Sequence, residues 1–207
     1  MAVPHGVDDV KLRSIVTGHG QNGEFNAYNH ELRVDDEIYK YRVWSECSTV
    51  PVFPQGGTWL LDRAGWCPGD PSTIHEFWVP EEKITSGQFV VDYDIPGIAG
   101  LAEARYIINN QMVLYGPVNR TNDASIEAVL RPSDRVEFAR FNPSCFQPQF
   151  IIQNRGTEDL TQVAFTYGLE GGNQYSGEWQ GNLAYGQNDT ITVEMPGSDY
   201  PRGSGRR

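Results

Sequence analysis

Trp59-Leu60-Leu61-Asp62-Arg63-Ala64-Gly65-Trp66-Cys67-Pro68-Gly69 brings two indoles, a guanidinium and a thiol together in one short stretch closed by Pro and Gly. It reads as a loop built to bind something. An indole offers a flat apolar face that stacks on the C–H face of a sugar, and a guanidinium supplies planar donors for carbonyl and hydroxyl oxygens. The competing reading is a plug, with Trp66 in the core and Arg63 paired to Asp62. The residues alone leave both open.

On either side of this loop, segments rich in β-branched and aromatic residues recur between clusters of Gly, Pro, Asn and Asp, the pattern of antiparallel β structure. The expected strands are 10–17, 28–34, 38–44, 73–79, 88–95 and 105–115. Residues 88–94 alternate only partly, which suits a strand with one face mostly buried. The one helix-like stretch, 100–105, is too short to define a fold. After Tyr115, Gly116 and Pro117 and the polar run from Asn119 to Asp123 read as a linker. A second set of strands follows at 125–130, 135–141, 149–153, 162–169 and 190–194, with turns at Asn154-Arg155-Gly156 and Gly171-Gly172-Asn173. The expectation is an all-β chain: an incomplete jelly-roll sandwich over 1–118, a small immunoglobulin-like sandwich over 124–197, and a disordered tail over 198–207.

Composition excludes several classes. The chain has 207 residues, 39% hydrophobic, and its 16 Lys and Arg against 27 Asp and Glu give a net charge of −11. Such a field repels phosphate backbones, so nucleic acid is not an expected partner. No apolar run approaches the roughly 20 residues that cross a bilayer, and no membrane partner is expected. Cys47, Cys67 and Cys145 show no spacing that builds a tetrahedral zinc site. By spacing, Cys47 and Cys67 are either bridged across a Pro/Gly-rich loop or, with Cys145, buried free thiols. His5, His19, His30 and His75 contain no His-His or His-x-His pair, and Met112 reads as core filler. Neither a metal nor another cofactor is expected.

Asp62 to Gly69, preceded by Trp59, resembles the corresponding stretch of the C-terminal domain of the peptide:N-glycosidase F family. Weaker likeness extends to Pro4–Gly20, with its Lys11-Leu12-Arg13 and Thr17-Gly18-His19-Gly20, and to Phe89–Tyr93 and Ala104–Val113. The resemblance covers roughly 4–116. It implies a jelly roll of the kind shared with copper-dependent monooxygenases, and an activity that cleaves the amide between asparagine and the first N-acetylglucosamine of an N-linked glycan. By the same resemblance, Glu24 is the catalytic-cleft carboxylate, and Arg63, Trp66, Trp59, His19 and Phe25 are substrate-binding positions. Cys47 and Cys67 become a disulfide. His19 and Phe25 stand where the family has Trp, and no Cys occurs before Cys47 to supply the family's second bridge near Glu24.

The family's essential aspartate belongs to a preceding sandwich, and several opening strands of this one have no counterpart here. The implied picture is a fragment of a secreted or cell-surface amidase-like protein, inactive alone, with an upstream jelly-roll domain and N-linked glycoproteins as partners. The alternative is a non-catalytic carbohydrate- or glycoprotein-binding adhesion module; a more distant one is a copper-dependent monooxygenase relative. In the second unit, Tyr167, Tyr175, Trp179 and Tyr185 are either an aromatic binding face or sandwich core. Cys145 is expected to be a free or buried thiol.

Overall fold

The computed structural model describes residues 1–98, 102–141 and 147–196. The chain divides into two compact units, Met1–Pro117 and Val118–Arg207. The first is organised around β1 (Asp9–His19), in which every second residue from Val10 to Gly18 is buried. That period of two is what a strand covered on one face requires. β1 lies between β4 (Ile74–Trp78) and β6 (Arg105–Tyr115), antiparallel to both.

A second sheet sets β2 (Tyr28–Val34) between β3 (Glu37–Val43) and β5 (Val91–Asp94), again antiparallel. The inward faces of the two sheets meet in a core of Val10, Leu12, Val16, Leu32, Val34, Tyr41 and Val43. Burial of each such aliphatic side chain is worth roughly 1.5–3 kcal/mol, which fixes the register of the strands that carry them. The residues before β5 pair with the N-terminus: Phe89 donates to the carbonyl of Met1 at 3.0 Å, and Ala2 bridges to Gln88. Two short helices decorate the sandwich, α1 (Gln21–Glu24) and α2 (Glu81–Thr85).

Polar groups interrupt this core. Ser14 Oγ lies 2.7 Å from Tyr41 Oη and donates at 2.7 Å to Asn110 Oδ1, while Tyr41 Oη donates to Tyr93 Oη at 3.2 Å. Tyr93 Oη in turn bonds His30 Nδ1. His30 is fully buried, and its Nε2 has no partner among the described residues.

The second unit is also a two-layer sandwich. One sheet holds β8 (Gln149–Asn154) between β7 (Ala124–Arg131) and β11 (Asn188–Thr192); the other pairs β9 (Leu160–Gly168) with β10 (Gln174–Leu183). Ile152, Leu183, Ile191 and Val193 form its core, with Tyr167 and Trp179 packed against it.

Two sequence expectations fail here. Residues 135–141, expected as a strand, contain a 3-10 helix over Val136–Phe141. Local contacts favour the tighter turn: Arg135 pairs with Glu137 at 2.6 Å and lies over the Phe138 ring. Conversely, β10 was not expected, because Gly177 and Gly181 interrupt its pattern. Those glycines make room for aromatics: a Cβ at Gly177 would meet the Phe165 ring at 2.5 Å, and one at Gly181 the Trp179 ring at 2.4 Å. The expected tail at 198–207, Cys145, and residues 100 and 101 of the helix-like stretch lie outside the described residues; the rest of that stretch, 102–105, is not helical but runs through a turn into β6.

Burial, reinforced by repulsion from nearby His75, pushes the His30 imidazole down to about 4 from its ordinary 6.5. An unfolded chain takes up this proton near pH 6.5, whereas the folded one does not until about 4. Stability from the neutral form is therefore complete above pH 6.5 and declines as pH falls toward 4, by up to about 3 kcal/mol. Urea unfolding of the wild type is expected to show this decline, and His30→Phe to lose most of it. Equal pH dependence in the two proteins would refute the assignment.

Candidate functional site

The loop that follows β3 crosses the end of the first sandwich and is anchored by backbone bonds on three sides. Ser45 and Arg63 exchange hydrogen bonds of 2.7 and 3.1 Å. Ala64 donates to the carbonyl of Glu24 at 2.9 Å and accepts from Gly18 at 2.9 Å. Gly65 then turns the chain at φ +76°, where a Cβ would stand 1.9 Å from the carbonyl oxygen of Val16, so only glycine fits. Gly18 is equally constrained, since its Cβ would fall 2.0 Å from the oxygen of Gly23. That close approach seats α1, and with it Glu24, on the end of β1.

A disulfide joins Cys47 to Cys67 and closes the loop. Inside it, Asp62 Oδ1 accepts the backbone N–H of Cys47 at 3.1 Å. Asp62 is thus not the partner of Arg63. The guanidinium reaches the other way, and Arg63 Nε donates to Glu24 Oε1 at 2.8 Å. Nη1 donates to the carbonyl of Leu61 at 2.7 Å, and Nη2 to the carbonyl and hydroxyl of Thr58, each at 2.9 Å. The side chain of Arg63 is only 4% exposed, whereas Glu24 keeps 21% of its side-chain surface. One end of the pair is locked into the protein, and the carboxylate end meets solvent.

Aromatic rings surround the pair. Arg63 Cζ lies 5.1 Å from the Trp66 ring and 5.4 Å from that of Phe25, within cation–π range. Trp66 is half-buried and donates its Nε1–H to the carbonyl of Gly18 at 3.0 Å. The imidazole of His19 stacks beside Trp66 at 6.0 Å and bonds Thr17 Oγ1 through Nε2 at 2.9 Å. Five of the six site residues expected from sequence are therefore in one place. The sixth, Trp59, is half-buried in the same loop, with no ring contact to the others among the described residues. Sequence reading missed Thr58 and Ser45, which hold Arg63 from behind. Nothing in their local pattern marks them.

Such a site has the parts to grip an amphipathic, hydroxyl-rich ligand: apolar faces beside a fixed carboxylate acceptor. The family Peptide-N-glycosidase F, C terminal, matches residues 1–115, the unit that holds this site. The chain belongs to this family. Two solved structures share its fold: PNGase F, a glycosylasparaginase from Flavobacterium meningosepticum, at 20% identity and a TM-score of 0.50, and recombinant peptide:N-glycanase F, at 21% and 0.50. Each similarity covers 56% of this chain and 42% of the other, so the chain spans less than half the length of either. No curated protein matches. The second unit lies beyond the matched 1–115. Among the described residues, no three of His, Cys, Asp and Glu come together as metal ligands, and no helix is long and apolar enough to cross a membrane.

In this family member the bridge and the guanidinium should hold the loop jointly. Replacing both Cys47 and Cys67 by Ser is expected to cost about 3 kcal/mol through added unfolded-state freedom. Arg63→Met should cost about 2 kcal/mol or more, because Glu24 loses its charge partner and two carbonyls lose their donors. Denaturant unfolding of the two variants checks both figures; a change under about 0.5 kcal/mol, the size of an ordinary surface effect, would refute either assignment.

Proposed function

We propose that the first sandwich is the glycan-facing half of a secreted or cell-surface peptide-N4-(N-acetyl-β-glucosaminyl)asparagine amidase-like protein. Its substrates are N-linked glycoproteins, and its chemistry is completed by an upstream jelly-roll domain that brings the essential aspartate. The observation that carries this reading is the Glu24–Arg63 pair, a partly exposed carboxylate fixed among aromatic rings in a chain of this family. Amide hydrolysis needs a positioned water and stabilisation of charge on the carbonyl oxygen. Glu24, with one oxygen held by Arg63, serves to orient that water or a sugar hydroxyl. Trp66, Trp59, His19 and Phe25 supply stacking faces for the chitobiose core.

Arg63 acts through Glu24, because its hydrogen bonds run to the protein itself. Holding the carboxylate in one orientation removes the entropy that a free side chain loses when substrate binds. The disulfide fits an oxidising, extracellular compartment. The second unit serves as an immunoglobulin-like accessory module.

A second reading, a binding module without catalysis, draws on the Trp66 and Phe25 rings beside Arg63, which suit stacking on a sugar whether or not the carboxylate acts. Glu24→Gln separates the two when placed in a protein joined to an aspartate-bearing upstream sandwich. An amidase should lose deglycosylation of a denatured glycoprotein by at least about 100-fold, the scale of a lost acid–base or charge-stabilising group, while glycopeptide binding by calorimetry changes little. Absence of any deglycosylation by the joined wild-type protein, with binding intact, would leave the binding module as the answer.

A further inference from the structure

The two layers of the second unit do not match in width: three strands, β11-β8-β7, face two, β10-β9. The cross-layer contacts show where the shortfall lies. Trp179 of β10 donates to Asp189 of β11 at 2.8 Å, which sets β10 against β11. Phe165 of β9 meets Phe150 of β8 edge to face at 5.2 Å, which sets β9 against β8. That leaves β7 as the strand with no counterpart across from it. Its side chains record the gap: Ile126 is 65% exposed and Val129 45% exposed, although both are apolar residues of a sandwich strand.

A cleft of about 280 Å³ opens there, walled by Ile126 and Val129 on one side and Phe165 and Tyr167 on the other, with Phe150 and Met195 among its lining. Both walls are sheet edges. Among the described residues β9 pairs only with β10, and β7 only with β8. An edge with unpaired backbone groups beside an apolar trough is a template for another strand.

We propose that this cleft accepts an extended segment of a partner polypeptide, apolar at alternate positions, which adds to the edge of β9 and covers Ile126 and Val129. Backbone bonds to β9 hold it, and its inward side chains fill the trough. Residues 197–207 are a poor occupant, since they read Gly-Ser-Asp-Tyr-Pro-Arg-Gly-Ser-Gly-Arg-Arg, with Tyr200 as their sole large apolar side chain. A second copy fits no better. A partner's β9 laid along the edge of β9 would carry the β8 that faces it into the place β7 already fills.

The test uses the intact chain and a fluorescent probe peptide of about eight residues alternating Val and Thr between Lys caps, a length typical of strands. Expected are saturable binding by anisotropy, amide shifts along β9, and at least tenfold weaker binding by Ile126→Lys. Val129→Lys should behave alike, with both variants retaining the wild-type circular dichroism. No saturable binding overturns the proposal, as does equal binding by the wild type and both folded variants. A dimer that Ile126→Lys dissociates without peptide assigns the cleft to a second copy instead. Binding seen only after removal of 197–207 assigns it to the chain's own end.

Discussion

The end of the first sandwich depends on a guanidinium taken out of water. Arg63 is almost wholly buried, and an unpaired charge there would cost several kcal/mol. Its surroundings meet that cost with a carboxylate, two backbone carbonyls and a hydroxyl. Its partners sit on two pieces of chain: Glu24 on the helix after β1, and Thr58 and Leu61 on the loop after β3. The guanidinium therefore joins segments that have no regular secondary structure to hold them together. The disulfide, the Asp62 bond to Cys47 and the fit of Gly65 under Val16 act on the same loop from its other side. The loop is built like a small core with a charge at its centre.

Much of this architecture was legible because burial writes itself into strands. In β2 the boundaries expected from sequence are those observed, since Asn26 before and Asp35-Asp36 after punctuate a run of alternating chemistry. β10 was hidden because its side-chain pattern answers to a neighbour rather than to itself. Gly177 lies directly across from Phe165, and only the pairing shows that the missing side chain is replaced by a ring from the next strand. Residues 135–141 erred in the opposite direction, as β-branched and aromatic content there serves a tight turn between Pro132 and the strand that follows.

The site divides along the same line. Residue types announced it: Trp, Arg and Cys in a Pro/Gly loop, and a Glu between Gly23 and Phe25. The pairing did not, because Asp62 stands next to Arg63 in sequence, and local reading favours the neighbour. The actual partner, Glu24, is 39 residues away. What decides between them is backbone direction. The Ser45–Arg63 bridge and the Ala64 bond to Glu24 orient the chain so that consecutive side chains diverge, Asp62 toward Cys47 and Arg63 toward α1. An extended segment sends neighbouring side chains to opposite sides, so adjacency in sequence separates these two in space.

That divergence bears on what the rings can do. A sugar approaching Arg63 directly would have to displace hydrogen bonds already made at 2.7 to 2.9 Å in a buried setting. Exchanging one satisfied donor for another brings little net gain, while moving the loop exposes Ala64 and the disulfide. Glu24 is different: its carboxylate is oriented from behind and still reaches solvent, so a ligand adds contacts there without removing any. Trp66 combines both conditions, with its N–H tied to Gly18 and its ring half-buried beside His19. In the proposed function, recognition therefore falls to groups whose orientation is fixed from behind and whose working face is open: Glu24, fixed by the buried charge, and Trp66, fixed by the carbonyl of Gly18.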